Sequence, residues 1–393
     1  MKTMSSAPDD KPAELESPGH YIYIAGPWAP MGGGMFRVAD YLIQAQHAYP
    51  TGTAVLRPLD TRGGGSWTVS LWVLAKALAR IVQGRLSGNL VGVHVNVAER
   101  LSLFRKGAIV VLCRMLGIPV VLHLHAAKLP YFYQKMPRAL QGLTRWIFSL
   151  PASCLVLGDQ ARRFVTRDLQ VPASKVEIII NGVPEPVYAR RAAHENRARQ
   201  VLFVGNLSER KGVSDFLSAL AQPGLKNLSM QVILAGGGDV PFYQNATQQL
   251  GIDGFVNFKG WTDQQQVAQL MAQADVLVLP SYDEGLPLVI LEALSNGVAV
   301  VCTPVGEIPS LLTDGVSACF VQAGDVPGIA EGLQKVLVDA DYAAALERNG
   351  RALYEQRFSL MRFSASVALV HQRHFGKVTS PLNKTLSARS SPP

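Results

Sequence analysis

The sequence predicts an α/β protein built from two doubly wound parallel sheets, and three observations carry that prediction. At 393 residues the chain is longer than one typical hydrophobic core supports. Short apolar runs of strand type alternate with helix-type segments throughout. Near the middle, Asn181 to Pro186 (N-G-V-P-E-P) opens a polar, Arg-rich stretch to Gln200, after which the same alternation restarts.

The first half is expected to begin at His20. Residues 1–18 are polar, acidic and Pro-containing, so they read as a disordered tail and not as a signal peptide or anchor. Tyr21 to Ala25 is a buried-type strand that runs into the glycine-rich loop G-P-W-A-P-M-G-G-G-M, and a helical pattern starts near Phe36. Strand, glycine loop and helix form a phosphate-cradle pattern. The spacing is not G-x-G-x-x-G, and a plain loop remains the alternative. Gly32, Gly33 and Gly34 let backbone approach a ligand closely.

Further strands are expected at Ala54 to Leu56, Leu90 to Val95, Val120 to Leu124 and Cys154 to Leu157. Ligands of such sheets bind beyond the carboxyl ends of the strands. After the fourth strand comes H-L-H-A-A-K. Its alternating histidines are expected to diverge, His123 into the sheet and His125 to the cleft edge, although a histidine satisfied in the core is the competing reading. Residues 69–83 and 131–150 place Trp72, Tyr131, Phe132, Tyr133, Trp146 and Phe148 beside Lys76, Arg80, Lys135, Arg138 and Arg145. Aromatic and basic residues together mark either interfacial helices or ordinary helices packed on a sheet.

The second half starts with the strand Val201 to Gly205, followed by N-L-S-E-R-K-G. Arg210 and Lys211 stand at a loop-to-helix transition, where point charges and helix-end amides suit a diphosphate. Val232 to Ala235 leads to Gly236 to Gly238, a close approach to a nucleobase or a simple turn. Strands at Phe255 to Phe258, Asp275 to Leu279 and Ala299 to Cys302 complete the sheet. The most specific stretch is Pro280 to Pro309, in which Pro287 opens a helix and Gly297 closes it. Glu284 in its loop and Glu292 in its helix offer two acceptors to one ligand that is part sugar and part phosphate. A solvated helix glutamate is the plain alternative.

Composition narrows the partners. Residues 1–185 hold 20 Lys and Arg against 11 Asp and Glu, and residues 186–393 hold 17 against 18. The basic half contains no basic run or basic-aromatic RNA motif, so nucleic acid is not expected. An anionic membrane surface or a phosphorylated acceptor fits better. Cys113, Cys154, Cys302 and Cys319 stand singly in or beside apolar segments, as buried free thiols of a reducing cytoplasm do. No run approaches the ~18 apolar residues of a membrane span.

The segments F-V-G-N-L-S-E-R-K-G, L-A-G-G-G and P-S-Y-D-E-G-L-P-L-V-I-L-E-A-L-S-N-G-V-A-V-V, in that order after an α/β first half, resemble glycosyltransferase family 4. These are retaining nucleotide-sugar glycosyltransferases of the GT-B fold. The resemblance spans about residues 20 to 375 and includes, more loosely, the opening glycine loop, H-A-A and Gly158 to Arg163 (G-D-Q-A-R-R). It implies two Rossmann-like domains: residues 19–185 for the acceptor and 200–356 for the nucleotide sugar, joined by a linker at 186–199. A helix at 357–376 would cross back to the first domain, and residues 377–393 read as a disordered tail.

The resemblance also implies roles. Glu284 would hold the transferred hexose, Glu292 the ribose, and Lys211 with Arg210 the leaving diphosphate. Catalysis would rest on Glu284, His125 and Lys211. Gly285, Leu286, Gly236, Gly33 and Gly34 would border the donor. Three positions depart from the family pattern: Asn206 replaces a common arginine, Gly158 a hydroxyl residue and Pro287 a glycine. No metal or other cofactor is expected, because the D-x-D at Asp339 to Asp341 lies in a helical stretch far from these motifs.

Within the family the chain is most similar to bacterial exopolysaccharide mannosyltransferases that act on polyprenyl-diphosphate-linked saccharides at the inner membrane face. GDP-mannose is the expected donor and UDP-glucose the alternative. A glycoside hydrolase and a non-catalytic nucleotide-sugar binding protein are the competing classes. A hydrolase would need its two carboxylates facing each other across one bond.

Overall fold

The computed structural model describes residues 19–28, 33–49, 54–64, 66–98, 101–190 and 198–376. The expected terminal tails and Gly32 lie outside the described residues, as do residues 191–197 of the expected linker.

The first sheet and its helices run β1 (Tyr21–Gly26), α1 (Gly34–Ala48), β2 (Val55–Asp60), α2 (Trp67–Leu86), β3 (Leu90–Val97), α3 (Leu101–Met115) and β4 (Val120–Leu124). They continue through α4 (Leu129–Gln134), α5 (Arg138–Ser149), β5 (Ser153–Val156), α6 (Asp159–Arg167) and β6 (Val176–Ile178). The second set runs β7 (Arg199–Val204), α7 (Val213–Leu220), α8 (Pro223–Lys226), β8 (Met230–Ala235), α9 (Val240–Leu250) and β9 (Val256–Gly260). Then come α10 (Gln264–Gln273), β10 (Val276–Leu279), α11 (Leu288–Ser295), β11 (Ala299–Cys302), α12 (Ile308–Leu311) and β12 (Cys319–Phe320). The chain closes with α13 (Val326–Val338), α14 (Ala340–Leu353) and α15 (Leu360–Phe375).

Each sheet has six strands, in the orders β2-β1-β3-β4-β5-β6 and β12-β11-β10-β7-β8-β9. The strand pairs within both sheets are parallel. In the first sheet β1 lies between β2 and β3, and in the second β7 lies between β10 and β8. Connections leave these central strands in opposite directions, which opens a crevice at their carboxyl ends.

The central strands are mostly apolar and buried, as helices on both faces require, with His94, Asn96 and His123 as buried polar exceptions. Two edge strands escape the sequence reading. β6 and β12 are three and two residues long, too short for a hydrophobic pattern. β2 extends beyond its expected end through Pro58, which an edge strand tolerates because one side of its backbone has no ladder partner. The four cysteines are buried and unpaired.

The last helix returns to the first sheet. Tyr354 Oη donates to Val183 O at 3.1 Å, Val183 bridges Ser359, and α15 then packs on α1, β3 and β4. Close packing there requires Gly92, because a Cβ at that position would meet the Phe375 ring at 2.4 Å. Beneath α15 lies a line of imidazoles. His371 Nε2 is 2.9 Å from His94 Nδ1, and His94 Nε2 is 3.3 Å from His123 Nδ1.

All three rings are buried, and burial holds their pKa values below the usual 6.5, that of His94 down to about 3. The unfolded chain takes up these protons below about pH 6.5 while the folded chain does not. Their stabilisation is therefore complete above that pH and declines as the pH falls. Urea unfolding should show a loss of about 4 kcal/mol between pH 7 and pH 5.5 from the three rings together. Replacing His94 with Gln should flatten that slope by about a third.

Candidate functional site

Two loops of the second domain meet at the crevice. The turn Glu209–Lys211 follows β7, and the loop from Pro280 to Pro287 follows β10. They interlock through Tyr282 N, which donates to Arg210 O at 2.9 Å. At Gly212 a side chain would put Cβ 2.1 Å from Pro280 O, and φ is +68°, so glycine is required on both counts. This contact sets the two loops side by side.

The consequence is an ion pair between Lys211 Nζ and Glu284 Oε1, both largely buried. Arg210 Nη1 stands 3.7 Å from the same carboxylate and donates to Asp283 O at 2.6 Å. Glu284, Gly285 and Glu307 of the second domain and His125, Gln160 and Phe164 of the first line a cavity of about 310 Å³ between the domains. Helix α11 starts after Pro287 as its N-cap, and Gly297 at φ +62° follows its end, as expected.

Glu292 is placed differently from the expectation of a free acceptor. Its carboxylate accepts from Arg37 Nη1 at 2.9 and 3.2 Å and from Tyr41 Oη at 3.2 Å, both on α1 of the first domain. Gln264 Nε2 in turn donates to Tyr41 Oη at 3.1 Å. Burial, then the Glu292 charge, raises the Tyr41 pKa above its ordinary value, so the phenol stays a donor.

A second carboxylate also crosses the cleft. Glu307 accepts from the backbone N–H groups of Ala161 at 2.8 Å and Gln160 at 3.3 Å, capping the N-terminus of α6. Gly158 makes room for it, since a Cβ there would lie 2.1 Å from Glu307 Oε2. Lys128 Nζ completes the set, 3.2 Å from Asp283 Oδ2. The basic first half therefore meets the acidic loops of the second.

The expected site residues do not all converge. Glu284, Gly285 and His125 share the cavity wall, with Lys211 and Arg210 on Glu284. Leu286 is buried among the apolar residues of the second domain. Gly236 packs against the end of β7, where a Cβ would lie 1.9 Å from Gly205 O. Gly33 and Gly34 open α1, and a Cβ on either would meet nothing within 4 Å.

His125 does reach the cavity, but not by diverging from His123. Alternate residues of a strand share a face. The two rings lie 4.1 Å apart, and His123 is fully buried while His125 is half-buried. Among the aromatics of residues 131–150, Tyr133 and Phe148 belong to the core, whereas Tyr131 and Trp146 are exposed.

Arg37, Tyr41, Lys128 and Glu307 were not identified in the sequence. Each acts across the cleft, and local pattern carries no information about a partner that lies 146 to 255 residues away. If Arg37 holds α1 on α11, Arg37→Ala should accelerate amide exchange at the start of α1 and along α11 by about tenfold, as loss of ~1.4 kcal/mol of local stability requires. Exchange in β8 and β9 should stay unchanged.

Residues 187–353 match the family model described as glycosyl transferases group 1. Alpha-D-kanosaminyltransferase of Streptomyces kanamyceticus is 24% identical over 78% of this chain and 83% of its own. An uncharacterized glycosyltransferase of Methanocaldococcus jannaschii is 26% identical over 63% of this chain and 67% of its own. Among solved structures, Anabaena HepE in complex with UDP and glucose superposes with a TM-score of 0.70 at 19% identity, covering 90% of this chain and all of that one. Sucrose-phosphate synthase from Thermosynechococcus elongatus gives 0.73 at 16% identity, over 90% and 98%. The shared architecture is the GT-B fold.

Proposed function

We propose that this chain, a glycosyltransferase whose residues 187–353 form a group 1 domain, transfers a hexose with retention from a nucleoside diphosphate sugar to a polyprenyl-diphosphate-linked saccharide. The observation that carries the reading is the Lys211–Glu284 pair at the cavity wall. In such a donor a single oxygen joins the hexose to the phosphate. A carboxylate for sugar hydroxyls and a cation for the departing phosphate must therefore stand within a few ångströms of each other, as Glu284 and Lys211 do.

In this reading Lys211, with Arg210 behind it, stabilises the negative charge that develops on the leaving diphosphate. Glu284 accepts hydrogen bonds from the hexose, and His125 faces the same sugar from the first domain. Glu292 takes the ribose hydroxyls once the donor exchanges places with Arg37. Gly33 and Gly34, at the opening of α1, border the diphosphate. The two cations supply the charge compensation a divalent ion would otherwise give, so no metal takes part. GDP-mannose is the first donor to test and UDP-glucose the second, with exopolysaccharide assembly as the setting.

A donor screen with a short prenyl-diphosphate-linked glycan, read by mass and anomeric coupling, tests the reaction. Transfer of mannose with an α-linked product is expected, and a β-linked product from an α-linked donor would sink the retaining mechanism. Uridine nucleotides raising the melting temperature where GDP does not would exchange the donor assignment. Glu284→Gln should lower kcat by about a hundredfold, the scale of losing one transition-state contact. Glu292→Ala should mainly raise the donor KM.

The acceptor reading also predicts a membrane surface. Among the described residues no helix is long and apolar enough to cross a bilayer. On α2, however, Trp67 and Trp72 are 73% and 60% exposed, and Lys76 Nζ sits 3.3 Å from the Trp72 ring centroid. Exposed indoles beside cations suit the headgroup layer. Sedimentation with vesicles containing anionic lipid should capture the protein, and replacing both tryptophans by serine should reduce capture by about tenfold or more. Equal capture by neutral and anionic vesicles would remove the electrostatic part of this reading.

A further inference from the structure

Behind the loop that follows β2 lies a positive charge that the site described above does not use. Lys106, on α3, is 1% exposed, and its Nζ contacts the buried Thr61 hydroxyl, which donates in turn to Gly26 O at 2.9 Å. Gly26 ends β1 and Thr61 follows the end of β2, so this contact ties α3 to the carboxyl ends of two strands of the first sheet. It also brings together their neighbours in sequence, Arg62 and Arg105, which feel each other's charge.

Three cations therefore stand together without a matching anion. Asp60 is the nearby carboxylate, and its oxygens are taken by the backbone N–H groups of Arg62 at 2.9 Å and Gly63 at 3.0 and 3.2 Å. Among the described residues none of Arg62, Arg105 and Lys106 forms an ion pair. An ammonium has three N–H donors, and the contact with Thr61 takes one. The Arg105 Nε–H is buried with no acceptor. Burial, then the Arg105 charge, holds the Lys106 pKa down at about 7, and burial, then the Arg62 charge, lowers that of Arg105. A charge buried in this way costs stability, and a methionine of similar length would fill the place at less cost. Packing does not account for the lysine, whereas an anion that completes the cluster does.

The place of the cluster narrows the anion. In the order β2-β1-β3-β4 it stands two to three strand spacings, ~10 to 15 Å, from the end of β4, which His125 follows. That span leaves room for a short saccharide between the cations and the cavity. On the other side Trp67 opens α2 shortly after Arg62, and Leu101 lies one turn before Arg105 on α3. Both side chains are exposed, at 73% and 68%. A ligand that spans these features has sugar at one end, phosphate in the middle and an apolar chain at the other.

We propose that Arg62 and Arg105, backed by the buried charge of Lys106, form the subsite for the diphosphate of a lipid-linked acceptor, apart from the Lys211 and Arg210 pair that serves the donor. This rests on the reading of the acceptor as a prenyl-diphosphate-linked saccharide. An anionic phospholipid offers the same phosphate oxygens, so the test separates the two sources.

Calorimetric titration of the full-length protein with geranyl diphosphate, without membranes or donor, measures the subsite apart from turnover. Arg62→Gln and Arg105→Gln, each losing a charge-assisted contact, should weaken binding about tenfold. Lys106→Met, losing the charge behind them, should weaken it about fivefold and melt no lower than the wild type. Lys211→Met should leave this affinity unchanged. Arg62→Gln, at an exposed position, serves if the Lys106 variant does not fold. In turnover the variants should raise KM for the prenyl-diphosphate glycan and leave KM for the methyl glycoside of the same glycan unchanged.

Equal affinity in the wild type and the three variants overturns the proposal. So does a loss confined to Lys211→Met, which puts the diphosphate in the donor subsite. Lost capture by anionic vesicles with geranyl diphosphate affinity intact assigns the cations to phospholipid and overturns it too. Weakened geranyl diphosphate binding in the variants, with wild-type KM equal for the diphosphate-linked glycan and its methyl glycoside, overturns instead the acceptor reading while the anion subsite stands.

Discussion

The cleft of this protein is organised by carboxylates of the second domain held by donors of the first. Glu292 is gripped by Arg37 and Tyr41, Glu307 by the first amides of α6, and Asp283 by Lys128. The contacts of Glu292 and Glu307 remove charge from water and are balanced only while the domains face each other, whereas Lys128 and Asp283 stay partly exposed. A half-buried carboxylate left without its partner is costly. The arrangement of the cleft thus depends on these pairings across it, that of Arg37 with Glu292 above all.

That dependence gives the charge asymmetry of the chain a structural meaning. An excess of cations in the first half and near balance in the second reads, in the sequence, as a preference for an anionic partner. In the folded molecule part of the excess is directed inward, Lys128 at the loop after β10 and Arg37 at Glu292 of α11. Lys76 and Arg80 of α2, beside the exposed Trp72, face outward. One compositional signal therefore has two destinations, and composition alone does not separate them.

Much of the fold was legible in the sequence because most residues of the central strands are apolar and the glycines fall where loops cross. Glu284, Lys211 and Arg210 were legible for the same reason, since they sit in short loops immediately after strong strands. Three kinds of feature were not. Edge strands such as β6 and β12 are too short to show a period. Polar residues buried by their neighbours, such as Asn96 and His94, sit in patterns indistinguishable from surface positions. Contacts across the cleft, such as Arg37 with Glu292, have no local signature. His125 was located correctly from an incorrect premise, because residues 123 and 125 share a face and differ in depth, not in direction.

The return of α15 to the first sheet has a consequence for biosynthesis. Its residues cover one face of β3 and β4, and His371 supplies the outer partner of the buried imidazoles. Residues 360–375 must be made before that face is covered, which at about 5 to 20 residues per second leaves it open for about 10 to 40 s after the first sheet emerges. The second domain can complete its own sheet in that interval. The first domain is then the last to finish although it is the first to be synthesised.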